Sequence, residues 1–262
     1  MISIDKVLEY TGRIFGESLH VARVASIASG VAAVFRADTL AVGMLGRALA
    51  ITRGIKPKNG IKQIDRLLSN SGIDLKVFFE KWARFLIGAR TEIVVALDWT
   101  DFDKDDAATL AIHLLTRHGR ASALIWKTFS KKKLKNHRND FEDELLVMFK
   151  DTLPPDVKVT VLADRGFADV KLYAFLRELG FDFIIRFKGN TKIAFNKTKK
   201  SARAWLLPNA EALKLVSVGV TGDGYYLPAF VCMHDAKMKD AWFLAVSNPT
   251  LSASQAVKLY GG

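Results

Sequence analysis

Two aspartates stand where apolar runs end. In EIVVALDWTD (92–101) the run Ile93–Leu97 gives way to Asp98, and VKVTVLADRGF (157–167) reaches Asp164 in the same way. If the two runs are neighbouring strands of one sheet, both carboxylates emerge at one edge, close enough to repel, and one of them takes a proton. A divalent cation removes that penalty. Carboxylate oxygens are hard ligands suited to Mg²⁺ or Mn²⁺, which keep bound waters and accept phosphate oxygens. Two such ions, roughly 3.5–4 Å apart, can act on the attacking and leaving oxygens of a phosphodiester. Either aspartate alone could simply cap a loop or the next helix. The five histidines show no close ligand spacing and Cys232 is the one cysteine, which argues against zinc. DFDKDD (101–106) lacks the glycine and glutamate of a calcium loop.

The elements that must place these residues change in character along the chain. Residues 1–90 read as helical: LAVGMLGRALA and DLKVFFEKWARFLIGA have apolar spacing near 3.6, with Asp74 as a cap. Between them Pro57, Asn59 and Gly60 predict a break, followed by a short helix carrying Lys62 and Arg66 on one face. From residue 91 the expected order is β, β, β, α, β, α, β. ATLAIHLLT and ASALIWKTF form a hairpin about RHGR, although the first run also fits a helix. Gly180 marks the stop of the helix DVKLYAFLRELG. KLVSVGVT, YYLPAFVCMH and WFLAVSNPT, separated by GDG and DAKMKD, predict a small antiparallel sheet. SASQAVKLY then starts a helix capped by Ser252 or Ser254.

Composition sets the partner class. The chain of 262 residues has a formal charge of +12. Residues 1–90 carry 14 Lys and Arg against 7 Asp and Glu, residues 91–190 carry 16 against 16, and residues 191–262 carry 9 against 4. Basic flanks around an acid-rich centre suit a polyanion held at the flanks with a cation at the core, or else an ordinary solvated surface. KKKLKNHR (131–138), with Lys131, Lys132 and Lys133, is a candidate backbone-tracking segment or a solvated loop; Lys197, Lys199 and Lys200 make a similar patch. Cys232 lies in an apolar run and reads as a buried hydrophobe. The N-terminus lacks a signal-peptide core, and Val24–Phe35 is too short to span a bilayer. A cytoplasmic, nucleoid-associated protein without a membrane partner is expected.

ALDWTD and LADRGF, 66 residues apart, resemble the first two acidic motifs of DDE transposases with a ribonuclease-H-like core. NGIKQIDRLLSN resembles the segment before the core in the insertion sequence 4 family, and a β-rich insertion after the second acid is that family's habit. VSNP…SASQAVKLY resembles the approach to its signature helix: a tyrosine, an arginine three residues on, and the catalytic glutamate four after that. The resemblance covers residues 40–260 and implies an α/β fold. A helical DNA-binding region (1–90) precedes a ribonuclease-H-like core of mixed sheet and flanking helices (91–189), a β-rich insertion (190–250) and the start of the last core helix (251–262).

The resemblance also implies a chemistry. Asp98, Asp164 and a glutamate hold two Mg²⁺ or Mn²⁺ ions; water cuts a transposon end, and the freed 3′-hydroxyl attacks the other strand or target DNA. Tyr260 matches the tyrosine expected at a phosphate. Trp242 matches a tryptophan that stacks on a flipped base, though a tryptophan opening a strand is also an ordinary core residue. Arg165 is placed to neutralise phosphate or to point outward structurally. The implied partners are double-stranded DNA, as transposon ends and target, and a second copy in a homodimer on DNA. The sequence stops before the expected arginine and glutamate, so a fragment or a naturally truncated copy is expected, and with it weak or no strand cleavage. The alternative is a non-catalytic DNA-binding remnant that occupies transposon ends or inhibits intact transposase.

Overall fold

The computed structural model describes residues 4–116, 121–220 and 224–261. The RHGR turn with His118 and Gly119, the Gly222 and Asp223 positions of the GDG turn, and Gly262 lie outside them. The chain forms two compact units, residues 1–85 and 86–262.

The first unit is helical: α1 (Ile4–Phe15), α2 (Val21–Ala37), α3 (Val42–Arg53), α4 (Pro57–Leu68) and the start of α5 (Leu75–Ile87). Asp74 caps α5 as expected, its Oδ1 accepting from the backbone N–H of Lys76 at 2.8 Å. The break expected at Pro57–Gly60 is instead the first turn of α4. Proline at the first helical position gives up an N–H that has no helical partner there anyway. Gly60 is needed because α3 and α4 touch: a Cβ there would run into the Gly46 carbonyl, and one on Gly46 into the Ile61 backbone. Among the described residues no single helix is long and apolar enough to cross a membrane.

The second unit is built on one mixed sheet. Its elements run β1 (Glu92–Phe102), β2 (Ala107–Leu115), β3 (Ala121–Ser130), α6 (Lys131–Leu134), α7 (Arg138–Thr152), β4 (Lys158–Ala163), α8 (Val170–Glu178) and β5 (Asp182–Arg186). There follow β6 (Lys192–Phe195), β7 (Thr198–Ser201), β8 (Leu213–Val220), β9 (Tyr225–Met233), β10 (Trp242–Val246) and α9 (Ala253–Gly261). The strand order is β3-β2-β1-β4-β5-β10-β9-β8-β6-β7. β1, β2 and β3 are antiparallel neighbours, and β4 and β5 run parallel to β1, which is the ribonuclease-H-like arrangement. The run 107–115 is a strand, because both of its edges are paired and its side chains alternate into the core.

Two expectations change. The strands after residue 190 do not form a separate small sheet: β10 pairs with β5 on one side and β9 on the other, so these strands extend the sheet begun by β1–β5. β1 also does not end at Asp98. It continues to Phe102 because β2 goes on pairing with it through Phe102↔Ala107. The parallel partner β4 leaves the sheet earlier, and the last bonded pair is Leu97↔Ala163.

One sheet face carries Val94, Leu162, Ile184, Leu244 and Val246, covered by Ala256, Val257 and Tyr260 of α9. Side chains alternate along a strand, so Asp98 shares this face with Val94 while Trp99 points to the other. α8 ends as expected at Gly180, whose φ is +75°. The Gly180 N–H bonds the Arg177 carbonyl and the Phe181 N–H bonds that of Leu176, closing a left-handed C-terminal cap.

Candidate active site

Asp98 and Asp164 sit one step past the last bonded pair of β1 and β4, Leu97↔Ala163, where paired strands lie about 5 Å apart. Both line one cleft of about 250 Å³, together with Trp99, Arg138, Asn139 and Glu142. The Asp98 carboxyl is pushed above the usual carboxylate range, first by partial burial and then by the negative charge of Asp164; a charge on His113 opposes this. His113 lies across from Ala96 on β2, beside a register irregularity between Ile112 and His113. Such irregularities re-aim side chains, so His113 belongs to the site's surroundings. No spacing rule could have picked it out.

Asp164 does what a strand-terminal aspartate often does and also faces the cleft. Its Oδ1 accepts from the Gly166 N–H at 2.7 Å, which fixes its rotamer at the head of the turn Arg165–Phe167. A Cβ at 166 would stand 2.9 Å from that oxygen, so any larger residue there would force the carboxylate to shift. One carboxylate oxygen is thus used structurally, and Oδ2 accepts no hydrogen bond among the described residues.

This donor set fits a hard divalent cation. Two carboxylates crowd each other, one of them is reluctant to ionise, and a cation relieves both costs. Among the described residues no group of three His, Cys, Asp or Glu side chains converges to hold a metal. A cation bound by Asp98 and Asp164 therefore keeps most of its ligand positions for water or substrate oxygens.

The opposite wall comes from α7. Glu142 is only 7% exposed, and its Oε1 accepts from the Trp99 indole N–H at 2.8 Å. Burial raises its pKa to about 7, although the Trp99 bond stabilises the ionised form. Arg138, one turn earlier, lies over the Trp99 ring at 5.0 Å and reaches Asp101 at 3.5 Å. Asn139 donates to Asp169 at 2.9 Å, and Asp169 caps α8 through the Lys171 N–H. Sequence reading missed Glu142 and Asn139, and met Arg138 only as the end of KKKLKNHR, because their approach to β1 is purely tertiary.

Tyr260 and Trp242 are brought together, with ring centroids 5.1 Å apart in an edge-to-face pair. Trp242 opens β10 and packs against the core cluster under α9. The Tyr260 phenol is pushed above its ordinary pKa by burial, with Arg186 lowering and Asp164 raising it, so the hydroxyl stays a donor. α9 is held at its start by a reciprocal cap: Ser252 Oγ accepts from the Gln255 N–H at 3.1 Å, and Gln255 Oε1 accepts from the Ser252 N–H at 2.8 Å. Ser252, not Ser254, is therefore the cap. Lys214 adds to this by donating to the carbonyls of Pro249 and Leu251 at 2.5 and 2.6 Å. Arg186 ends β5 as the aspartates end their runs; it pairs with Asp240 at 3.6 Å and donates to the Ala241 carbonyl.

The other expected contacts scatter. Arg165 is exposed beside Asp164. Lys131 pairs with Asp103 and, at 3.4 Å, with Asp101, so much of its charge is compensated; Lys132 and Lys133 are exposed on the short α6. Lys62 and Arg66 are exposed on α4 in the helical unit. Lys200 stacks on Trp205 at 4.1 Å. Cys232 is buried and its thiol is pushed up to about 12, a structural residue rather than a nucleophile.

No curated protein matches the chain. Two crystal structures of Marinitoga piezophila Argonaute share 9% and 8% identity with it, at TM-scores of 0.29 and 0.27. The first is a complex with 5′ OH guide RNA, and covers 84% of this chain and 34% of that one. The second also holds target DNA, and covers 79% and 30%. The chain thus spans about a third of the Argonaute chains it matches. Residues 89–208, the segment that contains Asp98, Asp164 and the α7 wall, match the family model of the transposase DDE domain.

Proposed function

We propose that this protein is a DNA transposase of the insertion sequence 4 type, cutting transposon ends with water and joining the freed 3′-hydroxyl to target DNA. The observation that carries the reading is the placement of Asp98 and Asp164 at one register step beyond Leu97↔Ala163, inside the segment matched by the transposase DDE domain. Asp98 and Asp164 would hold a divalent cation, Mg²⁺ or Mn²⁺. Such a cation supplies charge neutralisation and Lewis acidity toward a phosphodiester.

The chain's own residues account for the rest. The Gly166 N–H orients Asp164. Tyr260 donates a hydrogen bond to a phosphate oxygen, Arg165 and Arg186 lend positive potential, and Trp242 backs Tyr260 and would have to turn out of its packing to stack on a base. The β-rich insertion after the second acid and the capped helix bearing Tyr260 support the subfamily assignment. A two-ion site in this reading needs a third carboxylate, which the family pattern puts past residue 262. Double-stranded DNA and a second copy of the chain are the partners, and the nucleoid is the place of action.

The test is cleavage and joining of labelled end DNA in Mg²⁺ by the chain extended through that helix, with Asp98→Asn and Asp164→Asn beside it. Loss of both products in each variant is expected; retained cutting in either removes that residue from the site. The convergence of only two acids among the described residues favours a second reading, a non-catalytic protein that occupies transposon ends. Tight end binding by the extended chain without any nick would select it.

A further inference from the structure

We propose that the turn after Asp164 divides the groove into an acid half and a basic half, and that Arg165, Lys188 and Arg203 form a subsite for the nucleic-acid backbone phosphates flanking the reacting one. The inference rests on the proposed function for the identity of the polymer, and on geometry for the rest.

Three clefts follow one another along the end of the sheet. The acid cleft shares Gly166 with a second cleft of about 310 Å³ lined by Arg165, Tyr173, Phe187 and Lys188. That cleft shares Arg165, Phe187 and Lys188 with a third, of about 270 Å³, to which Arg203 is added. Lys188 follows β5 at the same sheet end as the acids. Arg203 comes from the short turn after β7, and its backbone N–H is tied to the Gly189 carbonyl at 2.9 Å. The insertion therefore delivers a cation beside the core's own.

Charge bookkeeping points to a ligand. Among the described residues Arg165, Lys188 and Arg203 have no ion-pair partner, and all three are exposed. Asp240, the acid lining this region, is engaged by Arg186. Three uncompensated cations held close together are costly unless a polyanion covers them. Open clefts joined end to end suit an extended chain of phosphates better than a small dehydrated anion. With the acids repelling phosphate at one end and the cations attracting it at the other, the groove orients the strand that enters it.

The experiment is fluorescence anisotropy of a labelled DNA duplex of arbitrary sequence with the full chain, in EDTA, across a salt series. Lys188→Ala/Arg203→Ala is expected to bind at least about tenfold more weakly, and its log K against log salt slope falls by about 2. Lys150→Ala/Lys158→Ala, at the other end of the sheet, removes the same charge and leaves the slope unchanged. Equal losses in the two double variants, or no binding by the parent, overturn the subsite. Calorimetric titration with inorganic phosphate alone is expected to show no saturation; saturable phosphate binding lost in Lys188→Ala/Arg203→Ala with duplex affinity intact also overturns it. Asp98→Asn belongs to the proposed reaction and not to this cleft. The binding series, run in EDTA, needs neither a cation nor cutting, so failure of cleavage and failure of the subsite are read separately.

Discussion

Asp98 and Asp164 face the same cleft from two parallel strands that stop bonding one residue earlier, at Leu97 and Ala163. β1 runs on past that point with β2, while β4 turns away, and the divergence opens the cleft. The sheet thus holds two like charges side by side where the pairing of β1 and β4 ends.

That crowding has a thermal signature. The Asp98 pKa is raised in the folded protein, so its ionisation costs stability once pH passes the ordinary carboxylate range. Asp98→Asn is expected to raise the metal-free Tm at pH 7 by about 1–2 °C. Added Mg²⁺ raises the Tm of the parent and not of Asp98→Asn. A parent whose melting ignores Mg²⁺ at all accessible concentrations contradicts the shared-cation site.

Glu142 predicts a pH dependence. Its folded pKa of about 7 exceeds the ordinary 4.5, so the folded state holds the proton more tightly. The stability it contributes is full below pH 4.5 and is lost as pH rises to 7, by at most about 3 kcal/mol. Glu142→Gln keeps an acceptor for the Trp99 indole and is expected to flatten the Tm–pH curve over that window. Glu142→Leu strands the indole N–H and lowers the Tm throughout. An unchanged curve in Glu142→Gln would show that the carboxyl titrates normally.

Gly166 tests orientation apart from ligation. Gly166→Ala puts a methyl 2.9 Å from Asp164 Oδ1, which displaces the carboxylate or breaks its bond to the backbone N–H. Cleavage by the extended chain is expected to fall at least about tenfold, equivalent to about 1.4 kcal/mol of barrier, with Tm changed by under about 3 °C. A variant that cuts at the parent rate shows that this bond does not place Asp164.

The reciprocal cap of α9 sets Tyr260. Ser252→Ala removes one half of it and is expected to cost about 1 kcal/mol, read as a fall in Tm of about 2–4 °C. Because Tyr260 packs edge-on against Trp242, the tryptophan fluorescence of the folded state shifts with it. Ser254→Ala, one position from the first helical residue, leaves both readouts unchanged.

The site was legible where chemistry is local. An apolar run that gives way to an acid singled out Asp98 and Asp164, which the fold brings to one cleft although β1 itself runs on to Phe102. The same rule applied to FIIRF would have flagged Arg186. Gly180 and Asp74 likewise announce their helix ends. Glu142 was not legible, because it lies 43 residues from the indole it contacts and its helix pattern gives no sign of a buried acid. Gly60 misled because its role is contact with α3, not a turn. Lys131 looked free for DNA until folding brought Asp101 and Asp103 beside it. β10 was grouped with the insertion by its neighbours in the chain, whereas hydrogen bonding joins it to β5.

The Phe187 N–H bonds the Phe243 carbonyl at 2.9 Å, and the segment between them returns to add β9, β8, β6 and β7 beyond β10 in one continuous sheet. The connections between those strands can lengthen at a closure cost that rises only with the logarithm of their length, whereas β9 itself is tied down as the second edge partner of β10. A foreign peptide module inserted at one of those connections, with the strands kept, should leave the carboxylate geometry untouched.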